Sequence, residues 1–108
     1  MMNITNGTEK QNAWANEIIR KPVDSVKNNI ANVERYVEMG IEEDGIVVSP
    51  LLAAIEIYEN RLNEFAATLT ANYVIENRSI FCRLMWQCIS ISFKAAGLKC
   101  ENPSQYTV

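Results

Sequence analysis

The chain has 108 residues and a formal net charge of -3, and 48% of its residues are hydrophobic while 21% are charged. This composition is typical of one folded domain and excludes an intrinsically disordered chain. General nucleic-acid binding needs a surplus of lysine and arginine, so the acidic balance argues against direct contact with nucleic acid.

The first third of the chain predicts two amphipathic helices. Thr8 and Gln11 have the spacing of a capping box, which places a helix over residues 8–21. Pro22 is expected to end this helix, because the residue before a proline avoids the α region. An apolar stripe at spacings of four and three then predicts a second helix over residues 24–39.

A third helix is predicted after an acidic loop. Residues 40–49 lack a helical pattern and contain an Asp-Gly turn signal, so an ordered loop is expected there. Pro50 fits the first position of a helix over residues 50–72, where its missing N–H removes no hydrogen bond. The apolar stripe of this helix consists of Leu51, Ile55, Tyr58, Leu62, Phe65 and Leu69. The stripe then loses phase, and whether residues 72–79 continue the helix or break it stays open.

The segment "IFCRLMWQCISISF", residues 80–93, is apolar at nearly every position. In a helix over residues 78–96, one thin line of polar side chains is expected, formed by Arg83, Gln87, Ser90 and Lys94. Residues 88–94 also alternate as a strand would, but the length of the run favours a helix. A helix that is apolar nearly all round needs cover from other helices or from a second copy, so a homo-oligomer is predicted.

The predicted fold is therefore all-α, a small bundle of about four helices in a single domain over residues 1–108. Residues 1–7 and 101–108 are expected to be loose tails. The start of the chain lacks the pattern of a signal peptide, and no apolar run reaches the length of a membrane span. Three cysteines, an odd number, fit a reducing compartment. A cytoplasmic protein without membrane contact is expected.

Catalytic and metal signatures are missing from the sequence. The chain has no histidine, the commonest general base and neutral metal ligand. Cys82, Cys88 and Cys100 lack the spacing of a metal site and are interpreted as small core residues. No glycine-rich phosphate loop is present either. A non-enzymatic protein without a cofactor or metal is predicted.

Acidic residues are concentrated in the middle of the chain. Between residues 34 and 76 there are nine acidic residues and only two basic ones. Such a block is either an ordinary solvated surface or a face for a partner protein with a basic surface. The predicted partner-binding residues are Glu42, Glu43, Asp44, Glu56, Glu59 and Glu64.

An alternative interpretation assigns the function to the less acidic end of the chain. Arginine pairs with phosphate in a bidentate manner, and a tyrosine ring stacks on a base. Tyr73, Arg78 and Arg83 are therefore alternative ligand-binding residues. In this interpretation, copies of these side chains meet at a subunit interface and hold a nucleotide, which the protein binds or sequesters.

Two fragments resemble a recurring pair of motifs. "TEKQNAWANEIIRK", residues 8–21, is similar to an opening of the form S/T-E-K-Q-x-x-W-A-x-x-I. "ANYVIENR", residues 71–78, is similar to a later A-x-W-W-I-D-N-R element, although Tyr73 and Val74 stand in place of its two tryptophans and Glu76 replaces its aspartate.

The pair of motifs resembles small uncharacterised proteins of phages, plasmids and integrated elements. The resemblance implies an origin in a mobile element. It also implies a non-enzymatic mode of action, in which the protein occupies a host protein. A nucleic-acid-binding defence protein such as a CRISPR effector is the kind of target expected, inside the bacterial host cell.

Overall fold

The structure is a computed structural model that describes residues 3–38 and 48–107, with side chains described over residues 3–35 in the first range. Its helices are α1 (Glu9–Glu38), α2 (Val48–Glu64), α3 (Ala71–Glu76) and α4 (Arg78–Ala95). Two short 3-10 turns, Ala66–Thr68 and Pro103–Tyr106, complete the described elements. The predicted all-α bundle is confirmed. Within the described ranges no strand occurs, so the helical interpretation of residues 88–94 is correct.

The prediction that Pro22 separates two helices was wrong. A single helix, α1, runs through this proline. It begins as expected: Gln11 N donates to Thr8 Oγ1 at 3.2 Å, and Thr8 N donates to Gln11 Oε1 at 3.1 Å. A proline inside a helix removes one backbone hydrogen bond and costs about 3 kcal/mol. Pro22 is buried, as are Ile19 and Val23 on either side of it. Tertiary packing along this part of α1 therefore outweighs the local preference for a break.

The predicted helix over residues 50–72 ends early, at Glu64, and its last part forms a 3-10 turn and the start of another helix. After α2 stops at Glu64, the chain makes a 3-10 turn. Thr70 then caps the short helix α3, since its Oγ1 accepts a hydrogen bond from Tyr73 N at 3.1 Å. A turn at Asn77 separates α3 from α4. The open question about residues 72–79 is thus resolved as a break.

Helix α4, which is apolar on most of its surface, is covered by contacts with α2, with α1 and with the C-terminal 3-10 turn. It packs most extensively against α2, while α3 packs against α1. The predicted polar line is confirmed, since its four residues Arg83, Gln87, Ser90 and Lys94 are all exposed. The opposite side is buried, with Met85, Cys88 and Ile89 fully covered. The cover is incomplete on one flank of the polar line, where Ile80 and Ile91 remain exposed.

The expectation of a loose N-terminal tail does not hold for the described residues of this segment. Ile4 is only 3% exposed. Its N–H donates to Asn16 Oδ1 at 2.7 Å, and its carbonyl oxygen accepts from Asn16 Nδ2 at 3.1 Å. Asn6 Oδ1 accepts from Ala71 N at 2.8 Å, which ties the same segment to the first residue of α3.

The C-terminal segment is also packed rather than loose. Asn29 Nδ2 donates to the Tyr106 carbonyl oxygen at 2.7 Å, and the Tyr106 ring lies 5.5 Å from the Phe93 ring. Thr107 is buried, and its hydroxyl oxygen accepts a hydrogen bond from the Trp86 indole N–H. Side-chain contacts to α1 and α4 thus hold residues that carry no apolar periodicity of their own.

Among the described helices, none combines the length and the apolar character that crossing a bilayer would require.

Candidate functional site

The predicted acidic surface is described only in part. Glu42, Glu43 and Asp44 lie outside the described residues. Glu56 and Glu64 are exposed and Glu59 is half-buried. Glu56 lies opposite the buried stripe of α2, whereas Glu59 and Glu64 lie on its two flanks, as the helical period requires. The described acidic residues are therefore spread over the solvent side of α2, here named its acidic side, with uncharged residues between them.

At the C-terminal end of α2 lies a groove that the sequence did not predict, here named the apolar groove. Its rim carries three large exposed side chains, Phe65 at 58%, and Tyr73 and Ile80 at 42% each. The groove encloses about 290 Å³, and the side chains that complete it are Arg61, Leu62, Thr68, Leu69, Phe81 and Leu84. Large apolar side chains that share one exposed concave surface mark a site of contact with another molecule.

The groove exists because of where the helices end. Phe65 continues the predicted apolar stripe, and in a longer helix it would face the core. Helix α2 ends at Glu64, and Phe65, whose N–H still donates to the Arg61 carbonyl oxygen at 3.3 Å, is 58% exposed. The break at Asn77 then returns the chain along the bundle, so that Tyr73 and Ile80 line the same concave surface. No signal in the sequence marked this end of α2, since neither glycine nor proline occurs near Glu64.

The alternative ligand-binding set does not come together within one chain. Tyr73 lines the apolar groove. Arg78 lines a cavity beside Trp14. Arg83 lines a third, shallow cavity together with Trp86. The predicted nucleotide site was placed at a subunit interface, and within one chain its three residues line three different cavities.

The cavity beside Arg78, here named the Trp14–Arg78 cavity, encloses about 350 Å³ between α1 and the start of α4. Its lining consists of Trp14, Glu17, Ile18, Lys21, Pro22, Arg78, Ser79 and Cys82. The Arg78 guanidinium carbon lies 5.6 Å from the centroid of the Trp14 ring, within the range of a cation–π contact. Arg78 Nη1 also donates to the Ile75 carbonyl oxygen at 2.7 Å. The contacts with Trp14 and with Ile75 thus hold the side chain of Arg78, which the sequence analysis assigned to a subunit interface.

Of the three cysteines interpreted as core residues, only Cys88 is buried, whereas Cys82 and Cys100 are half-buried. Cys88 is fully buried, and burial raises the pKa of its thiol, an effect that Arg61 partly offsets. Burial also raises the pKa of Cys100. Neither thiol is activated, since a reactive cysteine requires a lowered pKa. Within residues 3–38 and 48–107, no group of three cysteine or carboxylate side chains is placed to hold a metal ion.

Comparison with known proteins gives no match for this chain among family models, curated proteins or solved structures.

Proposed function

We propose that this chain is a non-enzymatic accessory protein of a phage or other mobile element, and that it acts by binding another protein. The observation that supports binding is the apolar groove. Three of the six large apolar side chains found exposed in the described residues, Phe65, Tyr73 and Ile80, belong to it. Aromatic side chains are enriched in protein interfaces, where they supply most of the binding energy.

The chemistry of the partner follows from the surroundings of the groove. Glu64 directly precedes Phe65, and Glu56 and Glu59 extend the negative charge along the same helix. The lining of the groove contains one charged residue, Arg61, so the proposed binding surface combines the apolar anchor with acidic residues that lie elsewhere on α2. A partner with a basic surface and an apolar side chain near it fits this combination. Glu42, Glu43 and Asp44 precede α2 in the chain and are proposed to add to the attraction.

Residues 8–21 and 71–78 resemble mobile-element proteins, and this resemblance is the basis for the proposed source of the protein and for its proposed partner. Proteins that bind nucleic acid carry basic surfaces. An acidic chain that covers such a surface prevents the nucleic acid from binding. We therefore propose a nucleic-acid-binding defence protein of the bacterial host, such as a CRISPR effector, as the partner in the cytoplasm.

The experiment is affinity capture from a bacterial lysate with the full chain, followed by measurement of the affinity for the captured protein. Reversing the charges of residues 42–44 in the variant Glu42→Lys/Glu43→Lys/Asp44→Lys is expected to weaken binding at least tenfold. The interaction is also expected to weaken steeply as the salt concentration rises toward about 0.5 M. In a separate variant, Phe65→Ser should weaken binding at all salt concentrations, because it removes an apolar anchor.

A matched control changes the same charge elsewhere. The variant Glu9→Lys/Asp24→Lys/Glu101→Lys alters three exposed acidic residues outside the proposed surface. It has the same net charge as the loop variant, so it separates a local contact from a general effect of charge. Equal loss of affinity in both variants, or no loss in either, would contradict the proposed surface.

The predicted homo-oligomer is retained as part of the proposal. Ile91 is 44% exposed on the flank of α4, outside the apolar groove. Burial of this flank against a second copy would remove apolar surface from water. Sedimentation velocity is expected to show a dimer or larger assembly that Ile91→Ser weakens. A monomer at a chain concentration of about 0.1 mM, well above the micromolar affinities of ordinary specific interfaces, would count against this part.

A further inference from the structure

We infer that the Trp14–Arg78 cavity is a binding site for a small anion that carries a planar ring, of mononucleotide size or smaller. This site involves neither the acidic side of α2 nor the apolar groove. It is built from α1 and the start of α4 within one chain, and it does not depend on the proposed function.

The size of the cavity restricts the ligand. Its volume of about 350 Å³ lies near the lower end of the range for small-molecule sites, about 300–1,000 Å³. A single ring system with one acidic group fits this volume, whereas a dinucleotide does not.

The apolar walls accept a flat ring. Trp14 remains 47% exposed although Arg78 lies over it, so part of the indole is open to the cavity. Ile18 and Pro22 continue this wall along the same side of α1. Planar rings stack favourably on an indole and on a guanidinium plane. An aliphatic anion would leave this surface without a matching partner.

Arg78 is arranged to receive an acidic group. A guanidinium has five N–H donors, and the bond to the Ile75 carbonyl uses one on Nη1. Within the described part of the chain, no further hydrogen bond engages this guanidinium. The bond to Ile75 and the contact with Trp14 hold the side chain in one place before a ligand arrives. Binding therefore requires little additional ordering of the arginine.

The charge of the lining favours an anion of low charge. Lys21 and Arg78 contribute two positive charges, and Glu17 contributes one negative charge. Glu17 lies one helical turn before Lys21 and offsets part of its charge. Arg78 is then the principal partner of the ligand, with the Ser79 hydroxyl as an additional hydrogen-bonding group. One phosphate or one carboxylate matches this set better than a triphosphate does.

Two kinds of compound share this chemistry, namely nucleoside monophosphates and aromatic carboxylates. The experiment titrates the ¹⁵N-labelled full chain with the four nucleoside monophosphates, with indole-3-acetate and benzoate, and with inorganic phosphate. We expect one of the two ring-bearing classes to bind with a dissociation constant below about 1 mM. The Trp14 indole N–H and the backbone amides of Arg78 and Ser79 should shift, while the amides of Leu52 and Ile91 stay in place.

Variants on the same helix provide the control. Arg78→Gln is expected to weaken binding about tenfold or more, because a charge-assisted contact is lost. Arg83→Gln removes the same charge from a different cavity and should leave the affinity unchanged. Should Arg78→Gln disturb the fold, as judged by its amide spectrum, the exposed Lys21→Gln gives the same comparison and is expected to weaken binding severalfold.

Three results would overturn the inference. One is that no compound of the panel shifts the Trp14 indole at 5 mM, about five times the expected upper limit of the dissociation constant. Another is that inorganic phosphate binds as tightly as the ring-bearing compounds, which would remove the role of the aromatic wall. The last is that Arg83→Gln weakens binding as much as Arg78→Gln, which would reduce the effect to net charge.

Discussion

The hydroxyl group of Tyr58 on α2 donates a 2.7 Å hydrogen bond to the main-chain carbonyl oxygen of Ile19 on α1. Both residues are buried, with at most 1% of their surface exposed. Ile19 lies three residues before Pro22, in the part of α1 where the proline removes one of the helix's own hydrogen bonds. The missing N–H of Pro22 would have bonded to the carbonyl oxygen of Ile18, so the Tyr58–Ile19 bond joins α2 to the neighbouring residue in that turn of α1.

Removal of this hydroxyl tests the energetic importance of the bond. Tyr58→Phe keeps the ring and leaves a buried carbonyl oxygen without its side-chain partner. We expect the free energy of unfolding to fall by about 1–2 kcal/mol, measured by urea denaturation. Tyr73→Phe is the control, because Tyr73 is exposed and lies in the groove. It should change stability by less than about 0.5 kcal/mol. Equal effects in the two variants would show that the bond adds nothing specific.

The same residue predicts a loss of stability in alkaline solution. Burial, with smaller contributions from Cys88 and Cys82, raises the pKa of the Tyr58 hydroxyl above the usual tyrosine value of about 10. The unfolded chain thus releases this proton at a lower pH than the folded chain does. The contribution to stability is complete below a pH of about 10 and is lost as the pH rises further.

The loss of stability in alkaline solution is measured as the difference in the free energy of unfolding between wild type and Tyr58→Phe. The thiols of the buried Cys88 and the half-buried Cys100 also have raised pKa values and lose their contribution to stability at high pH. Wild type and Tyr58→Phe share these thiols. Above a pH of about 10, the wild type is expected to lose up to about 1.4 kcal/mol more per pH unit than the variant. Parallel curves for the two proteins between pH 9 and pH 12, which brackets the usual tyrosine value, would refute this assignment.

Close approach of the N-terminal segment to α3 predicts a strict requirement for glycine at position 7. A Cβ atom at Gly7 would lie 2.8 Å from the Cβ atom of Ala71. This distance is well below van der Waals contact, and Ala71 is itself buried. We expect Gly7→Ala to lower the free energy of unfolding by about 1–3 kcal/mol.

A second substitution identifies the cause of that loss. Ala71→Gly removes the atom that Gly7→Ala would meet, so the double variant should be more stable than the sum of the two single effects predicts. The coupling energy from a double-mutant cycle is expected to exceed about 0.5 kcal/mol. Simple additivity would show that the loss does not arise from the Ala71 contact, and would assign it to the backbone of residue 7 or to Gln11 Oε1 and Asn12 Oδ1, which would lie 3.0 and 3.2 Å from the new Cβ atom.

The packed C-terminal segment predicts that a truncated chain is less stable. Ending the chain at Glu101 removes the partner of the Phe93 ring and the hydroxyl group that Trp86 Nε1 contacts. We expect a loss of about 2 kcal/mol or more from the exposed apolar surface and the unpaired donor, visible in thermal unfolding. Gln105→Ala, an exposed substitution in the same segment, should have almost no effect. An unchanged melting temperature after truncation would mean that the segment does not remain on the bundle in solution.

Sequence alone was sufficient to predict the fold class and to predict which face of each helix is buried. Apolar spacing of four and three is a local property, because it places side chains on one face of any helix that forms. The polar line of α4 is the clearest case, since Arg83, Gln87, Ser90 and Lys94 all reach solvent. The capping box at Thr8 is local in the same way and marks the start of α1 correctly.

Only the tertiary structure decided where the helices continue, end and meet. Pro22 predicts a break from local preference, yet buried neighbours on both sides hold α1 together. Phe65 keeps the apolar period, yet the helix ends one residue earlier and the ring becomes the rim of a groove. Trp14 and Arg78 lie far apart in the chain, and no sequence period relates them. Their contact arises because α1 packs against the segment that leads into α4, and packing between distant segments leaves no local pattern in the residues that take part.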